Sequence, residues 1–266
     1  MSVQTLVARR VAKPWGRRTL WAGFSDPAAD ELPVGEIWFE PAAGQDLPLL
    51  VKFLFTSHNH SVQVHPDDSA ARARGLPRGK DEAWLVLAAE PDARIALGLA
   101  QPLAREELAR VAADGTIVDL LDWRPLRTGD FVYVPAGTIH TLSGGLTLLE
   151  VQQNCDVTYR LYDFGRGRPL DVEAAVAAAS IEPFDHIFQA AEPGTLASGP
   201  RLTIDYLTAG SASVAATPHR PTWLVPLAEG TLIDRIAAQP GECLLADADV
   251  QVEVAPRSSM LCARPS

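Results

Sequence analysis

Half of the six histidines in this 266-residue chain fall within one stretch, SHNHSVQVHPDD, residues 57–68. His58 and His60 have the spacing that puts two imidazoles on one face of a strand, but the Ser, Asn and Thr around them are turn formers. Gln63 and His65 repeat the spacing within SVQVHP. There, alternation sets Val62 and Val64 on one face and Ser61, Gln63 and His65 on the other. A regular strand backed by two valines therefore projects an amide and an imidazole together, and this pair is the better metal candidate.

Two further segments offer partners. In KDEAWLVL, Glu82 opens a strand and shares its face with Trp84 and Val86, and Lys80 points the same way. A carboxylate at a strand start is also a common solvated residue. Residues 129–140 spell G-x5-P-x-G-x2-H, the second sequence motif of the cupins, with Gly144 where that motif closes on Asn. Its strand ends at Pro135, Gly137 permits the tight turn, and His140 re-enters on the next strand. Gln63, His65, Glu82 and His140 make a set of borderline and hard donors that suits one Zn2+ with positions left open. Two neutral imidazoles, an amide and one carboxylate would leave such a centre positive and Lewis-acidic.

Lys52 interrupts the apolar run LLVKFLF. It either snorkels from an edge strand or lines a polar pocket, since an unpartnered buried ammonium is costly. From Glu150 to Arg160 every even-numbered residue is polar. An extended backbone would put Gln152, Asn154, Asp156 and Arg160 on one face, which is either a binding cavity or a solvated stripe.

These residues need a β scaffold. Short runs rich in Val, Leu, Ile and aromatics recur between Pro, Gly, Asp and Asn, including GEIWFEP, LLVKFLF, EAWLVLAA, DFVYVP, LTLLEVQQN, LTIDYLTA and VQVEVAP. The pattern predicts a mainly β chain: a cupin jelly-roll barrel with short helical insertions and a smaller C-terminal β-domain, a second and degenerate jelly roll. The expected division is a site-bearing domain over 1–189, with its helical insertion at about 101–125, and a β-domain over 195–266. Helices are expected in PLAREELARVAADG, in IVDLLDW behind a Thr116/Asp119 capping box, and from Asp171 through the alanine run. The stretch 190–201, AAEPGTLASGPR, reads as a linker.

Bulk properties narrow the function. A net charge of −10 argues against a nucleic-acid partner, while a few local Lys and Arg still allow a small anionic substrate. Three widely spaced cysteines fit a reducing compartment. The N-terminal residues show no apolar signal core, and the longest apolar run, which contains Lys52, is too short for a bilayer. We expect a soluble cytoplasmic protein without a membrane partner. The oligomeric state is not legible.

SVQVHPDD, GKDEAW, VPAGTIHTL and EVQQNCDVTYRLYDFGR, in that order with KPWG and GEIW ahead of them, resemble the type I phosphomannose isomerases in their short bacterial form. The likeness covers residues from about 11 to 180 and is loose beyond about 195. It implies one Zn2+ held by Gln63, His65, Glu82 and His140, and cations for the sugar phosphate at Lys52, Lys80 and Arg160. It puts the acidic residue of the family's N-S-D motif at Asp156, within the variant NCD. The implied reaction interconverts mannose 6-phosphate and fructose 6-phosphate through a cis-enediol. Lys80, Asp156 and Arg160 would be the catalytic group, with Asp156 assigned acid–base duty and held at low pKa by Arg160. Two departures stand out: Gly79 replaces a His found in the longer enzymes, and His60 stands where an apolar residue is usual. The competing expectations are a metal-dependent cupin acting on another sugar phosphate and a non-catalytic sugar-phosphate binder.

Overall fold

The computed structural model describes residues 3–266 except Ala22, Ala43 and 185–188. Among the described residues the strands form three antiparallel sheets of seven, five and eight strands. The large, seven-stranded sheet has at its centre the Glu82–Ala89, Leu146–Gln153 and Leu49–Thr56 strands. The small sheet runs Tyr159–Tyr162, Val62–Val64, His140–Leu142, Arg94–Leu99 and Leu121–Pro125. The chain is mainly β, as the strand pattern predicts; the jelly roll is a pair of facing sheets with no single closed barrel.

Strand parity sorts the large sheet into two faces. Leu54, Trp84, Val86 and Leu148 meet Ile95, Leu97 and Leu142 of the small sheet in one core. Phe53, Phe55, Ala83, Leu85 and Val151 pack with Trp223, Val225, Leu261 and Ala263 of the eight-stranded C-terminal sheet in another. The three sheets are therefore layers, with the large one in the middle. Helices Arg105–Asp114 and Val172–Ala178 cover the outer face of the small sheet, where Leu108, Val111 and Ala175 pack on Val62, Val64 and Leu161.

Three expectations need correction. The capping-box helix is only Ile117–Leu120, because the Thr116 hydroxyl bonds Asp114 and the following residues become the Leu121–Pro125 edge strand. The 190–201 stretch is not a free linker, since Gly194–Ser198 is the edge strand of the C-terminal sheet. An edge position tolerates the Gly and Pro that made it read as a connection. The polar stripe is not one extended face either: the chain leaves the large sheet at Gln153 and crosses to the small one at Tyr159. At the other end of the chain, Val3–Thr5 pairs with Leu244–Ala246 in the C-terminal sheet. Among the described residues no helix is long and apolar enough to cross a membrane.

Candidate metal centre and cavity

The large and small sheets enclose a polar cavity of about 180 Å³. Two rows of side chains face each other across it. In the small sheet Gln63 is registered between His140 and Arg160. In the large sheet Glu150 is registered between Lys52 and Trp84, and Gln152 lies beside Glu82. Pairing across strands thus brings together residues, such as Lys52 and Glu150 or Gln63 and Arg160, that sequence order keeps far apart.

His65, Glu82 and His140 converge at one end. Their ligand atoms lie within 4.8 Å of one another, and all three residues are buried. His65 Nδ1 donates to the Val157 carbonyl at 2.8 Å, and His140 Nδ1 donates to the Thr138 carbonyl at 2.9 Å. Both imidazoles therefore turn the Nε2 lone pair inward, in the tautomer metal ligands adopt. His140 Nε2 stands 3.1 Å from Glu82 Oε1, and His65 Nε2 stands 3.5 Å from Glu82 Oε2. Lone pairs facing a carboxylate at this distance repel unless positive charge lies between them. Glu82 Oε1 also has no hydrogen-bond donor. The donor set fits a divalent ion. Gln63 places its amide nitrogen 3.1 Å from His140 Nε2 while its Oε1 accepts from Ser61 Oγ, so a flip of the amide would turn the oxygen to the same point.

Electrostatics agree with that geometry. Burial, helped by Lys80, pushes His65 down to about 3, and burial lowers His140 as well, so both are neutral at pH 7. Burial works against the charge on Glu82, but the adjacent Lys80 ammonium leads the opposing effects, and the carboxyl is held well below its usual range. Lys80 Nζ lies 3.3 Å from Glu82 Oε2 and 3.2 Å from His65 Nε2. Glu82 and Glu150 keep it charged despite its burial.

The remaining cavity wall carries charges of both signs. Lys52 donates to Gln152 Oε1 at 2.6 Å and lies over the Trp38 ring at 4.4 Å, so it is buried with partners. Arg160 lines the cavity beside Gln63, and its buried Nε has no partner. Asp156 also lines the cavity but is exposed at its rim, on the crossing between sheets, and makes no ion pair with Arg160. The expected contact with Arg160 is thus missing. Lys13, Glu36, His60 and Arg168 also line the wall. Arg168 is held by Asp163, which also binds Arg166 at 2.7 Å.

Glu150 is the residue that sequence reasoning passed over. It is buried between Lys52 at 4.0 Å and Lys80 at 3.9 Å. Burial outweighs both lysines and pushes its carboxyl up to about 7. The even-numbered polar stripe begins at Glu150, but only the strand register shows which cations it faces. His58 is exposed and bonded to Ser57 Oγ, away from the centre. His60 is buried with its ring 3.8 Å from that of Trp15, and burial drives it down to about 3. A neutral aromatic ring packed on Trp15 thus forms this part of the cavity wall.

No family model matches the chain. Over 216 residues, 74% of this chain and 68% of the relative, it is 31% identical to a mannose-6-phosphate isomerase of Bacillus subtilis. The chain belongs to the mannose-6-phosphate isomerase family. A second member, from Streptococcus mutans, is 37% identical over 195 residues, 69% of this chain. The chain spans 61% of that relative's length, and only about half of two other curated relatives. The crystal structure of a mannose 6-phosphate isomerase from Bacillus subtilis shares the fold, with a TM-score of 0.78, 23% identity and 99% of both chains covered. The mannose-6-phosphate isomerase likeness in fold thus extends through the C-terminal sheet.

Proposed function

We propose that this chain interconverts mannose 6-phosphate and fructose 6-phosphate with one divalent ion, Zn2+, held by Gln63, His65, Glu82 and His140. The observation that carries the reading is the pair of inward-facing Nε2 atoms set against the Glu82 carboxylate, whose Oε1 has no donor while Lys80 supplies positive charge on the Oε2 side. Imidazole and carboxylate donors suit zinc among the common divalent ions. When bound, the ion would supply Lewis acidity for the negative charge that develops on the sugar oxygens.

The chain's own groups account for the rest. Aldose–ketose isomerisation moves a proton between C1 and C2 of the open-chain sugar by way of a cis-enediol. Glu150 is suited to carry it, because a carboxyl with its pKa up at about 7 can both accept and return a proton near neutral pH. Asp156, on the rim, is better placed to orient substrate than to move that proton. Lys52 and Lys80 flank Glu150 and stabilise developing negative charge. Arg160, with its guanidinium in the cavity, is assigned the phosphate, which its planar fork can grip through two bonds. The division into a 1–189 cupin unit bearing the site and a 195–266 β unit belongs to the same proposal.

The test is a coupled assay of the purified chain with mannose 6-phosphate in one direction and fructose 6-phosphate in the other. Turnover in both directions is expected. Tight binding of either sugar phosphate without turnover would instead indicate a binding protein.

A further inference from the structure

Side chains alternate along the segment that carries two of the cavity's charged groups. Lys80 and Glu82 enter the cavity, and Asp81 between them points the other way. Asp81 Oδ2 accepts from the Tyr133 hydroxyl at 2.5 Å, and its Oδ1 accepts from the Ala136 amide at 3.0 Å. Tyr133 packs on the core shared with the C-terminal sheet.

The turn joining Gly194–Ser198 to Leu202–Val214 reaches this segment by two routes. On the first, Gly199 lies against the Tyr133 ring so closely that an added methyl would stand 2.5 Å from it. On the second, the Arg201 guanidinium lies 3.0 Å from Asp68 Oδ2. Asp68 Oδ1 accepts from the Gly79 amide at 2.8 Å and from Gln153 Nε2 at 3.0 Å. Gln153 Oε1 in turn accepts from the Asp81 amide at 2.9 Å. The turn therefore meets both ends of a chain of contacts, through Gly199 at Tyr133 and through Arg201 at Asp68, that runs by way of Asp81 and Gln153 along residues 79–81.

We propose that this turn is a positioning element: the C-terminal unit sets the place of Lys80 and Glu82 through Arg201 and Tyr133. The side-chain pair of Arg201 with Asp68 is partly exposed, so it adds little to global stability and acts through geometry. The cobalt and turnover measurements below rest on the metal-isomerase reading; amide exchange does not.

The experiment compares Arg201→Ala, Arg201→Lys and Tyr133→Phe with Arg220→Ala, a cation elsewhere in the C-terminal unit. Amide exchange is followed by mass spectrometry, Co2+ affinity by competition with a chromophoric chelator, and bound Co2+ by its visible spectrum. Arg201→Ala and Tyr133→Phe should speed exchange at Gly79 and Asp81 several-fold while the Leu146–Gln153 strand stays protected. They should weaken Co2+ binding about tenfold, as expected for groups standing behind a metal ligand, and shift its spectrum. Turnover of mannose 6-phosphate should fall in kcat with KM within about twofold. Arg201→Lys should restore most of the loss, and Arg220→Ala should match wild type. Unchanged exchange at Gly79 and Asp81 in Arg201→Ala and Tyr133→Phe overturns the proposal. Should Arg201→Ala not fold, Tyr133→Phe, which removes one hydroxyl, decides alone. Wild type that binds Co2+ but turns over no sugar phosphate would defeat the isomerase reading and leave the exchange result standing.

Discussion

Glu150 and Arg160 are the side chains whose surroundings assign them the most distinct tasks. Glu150 sits between two lysines with its carboxyl up at about 7. Glu150→Gln should lower kcat by at least about a hundredfold, the usual scale for a lost acid–base group, with little change in KM. The rate should also lose its rise through pH 7. The same shift carries a stability signature in the metal-free protein. A carboxyl whose folded pKa is raised contributes stability below its ordinary value near 4.5, and that contribution is lost as pH rises through about 7. Glu150→Gln should therefore raise Tm relative to wild type at pH 8 and have the smaller effect at pH 5, as thermal melts would show. Arg160→Ala should raise KM for mannose 6-phosphate roughly tenfold or more, the scale of a lost charged hydrogen bond, with a smaller effect on kcat. An unchanged KM would move the phosphate site elsewhere.

Elements place these groups through close approach as much as through register. An added Cβ at Gly79 would stand 2.4 Å from the Asp67 carbonyl carbon and 2.6 Å from the Asp68 nitrogen, both backbone atoms that cannot swing aside. Gly79→Ala should cost about 1–3 kcal/mol, as overpacking does, and should loosen metal binding, readable by denaturant titration and metal analysis. Gly144 has the same explanation: a Cβ there would meet the Ser57 carbonyl oxygen at 2.5 Å, so the departure from Asn follows from a packed turn. Alternation within single strands was legible, because Val62 and Val64 against Gln63 and His65 need only a period of two. The pairing of Glu150 with Lys52, and its burial near Lys80, was not, because it depends on three strands meeting across the sheet. Gly194–Ser198 was hidden for another reason. An edge strand needs little β-propensity of its own when the Leu202–Val214 strand supplies the template.

At the scale of the molecule, the middle sheet shares one core with the C-terminal sheet and another with the small sheet. Unfolding should therefore be a single transition. Trp223, fully buried in the shared core, links the two units. Trp223→Ala should cost about 3–5 kcal/mol and lower the one melting transition seen by calorimetry; two separated transitions would contradict the layered account. Net charge gives no hint of the cavity, where Lys13, Lys52, Lys80, Arg160 and Arg168 gather on a chain of charge −10. The central claim is that His65, Glu82 and His140 hold a divalent ion on which isomerisation depends. Its most direct test is to strip the protein with a chelator, restore Zn2+, and follow mannose 6-phosphate turnover, with His140→Ala alongside. The account predicts loss on stripping, recovery on adding one equivalent of Zn2+, and no recovery in His140→Ala. Full activity after complete removal of metal would contradict it.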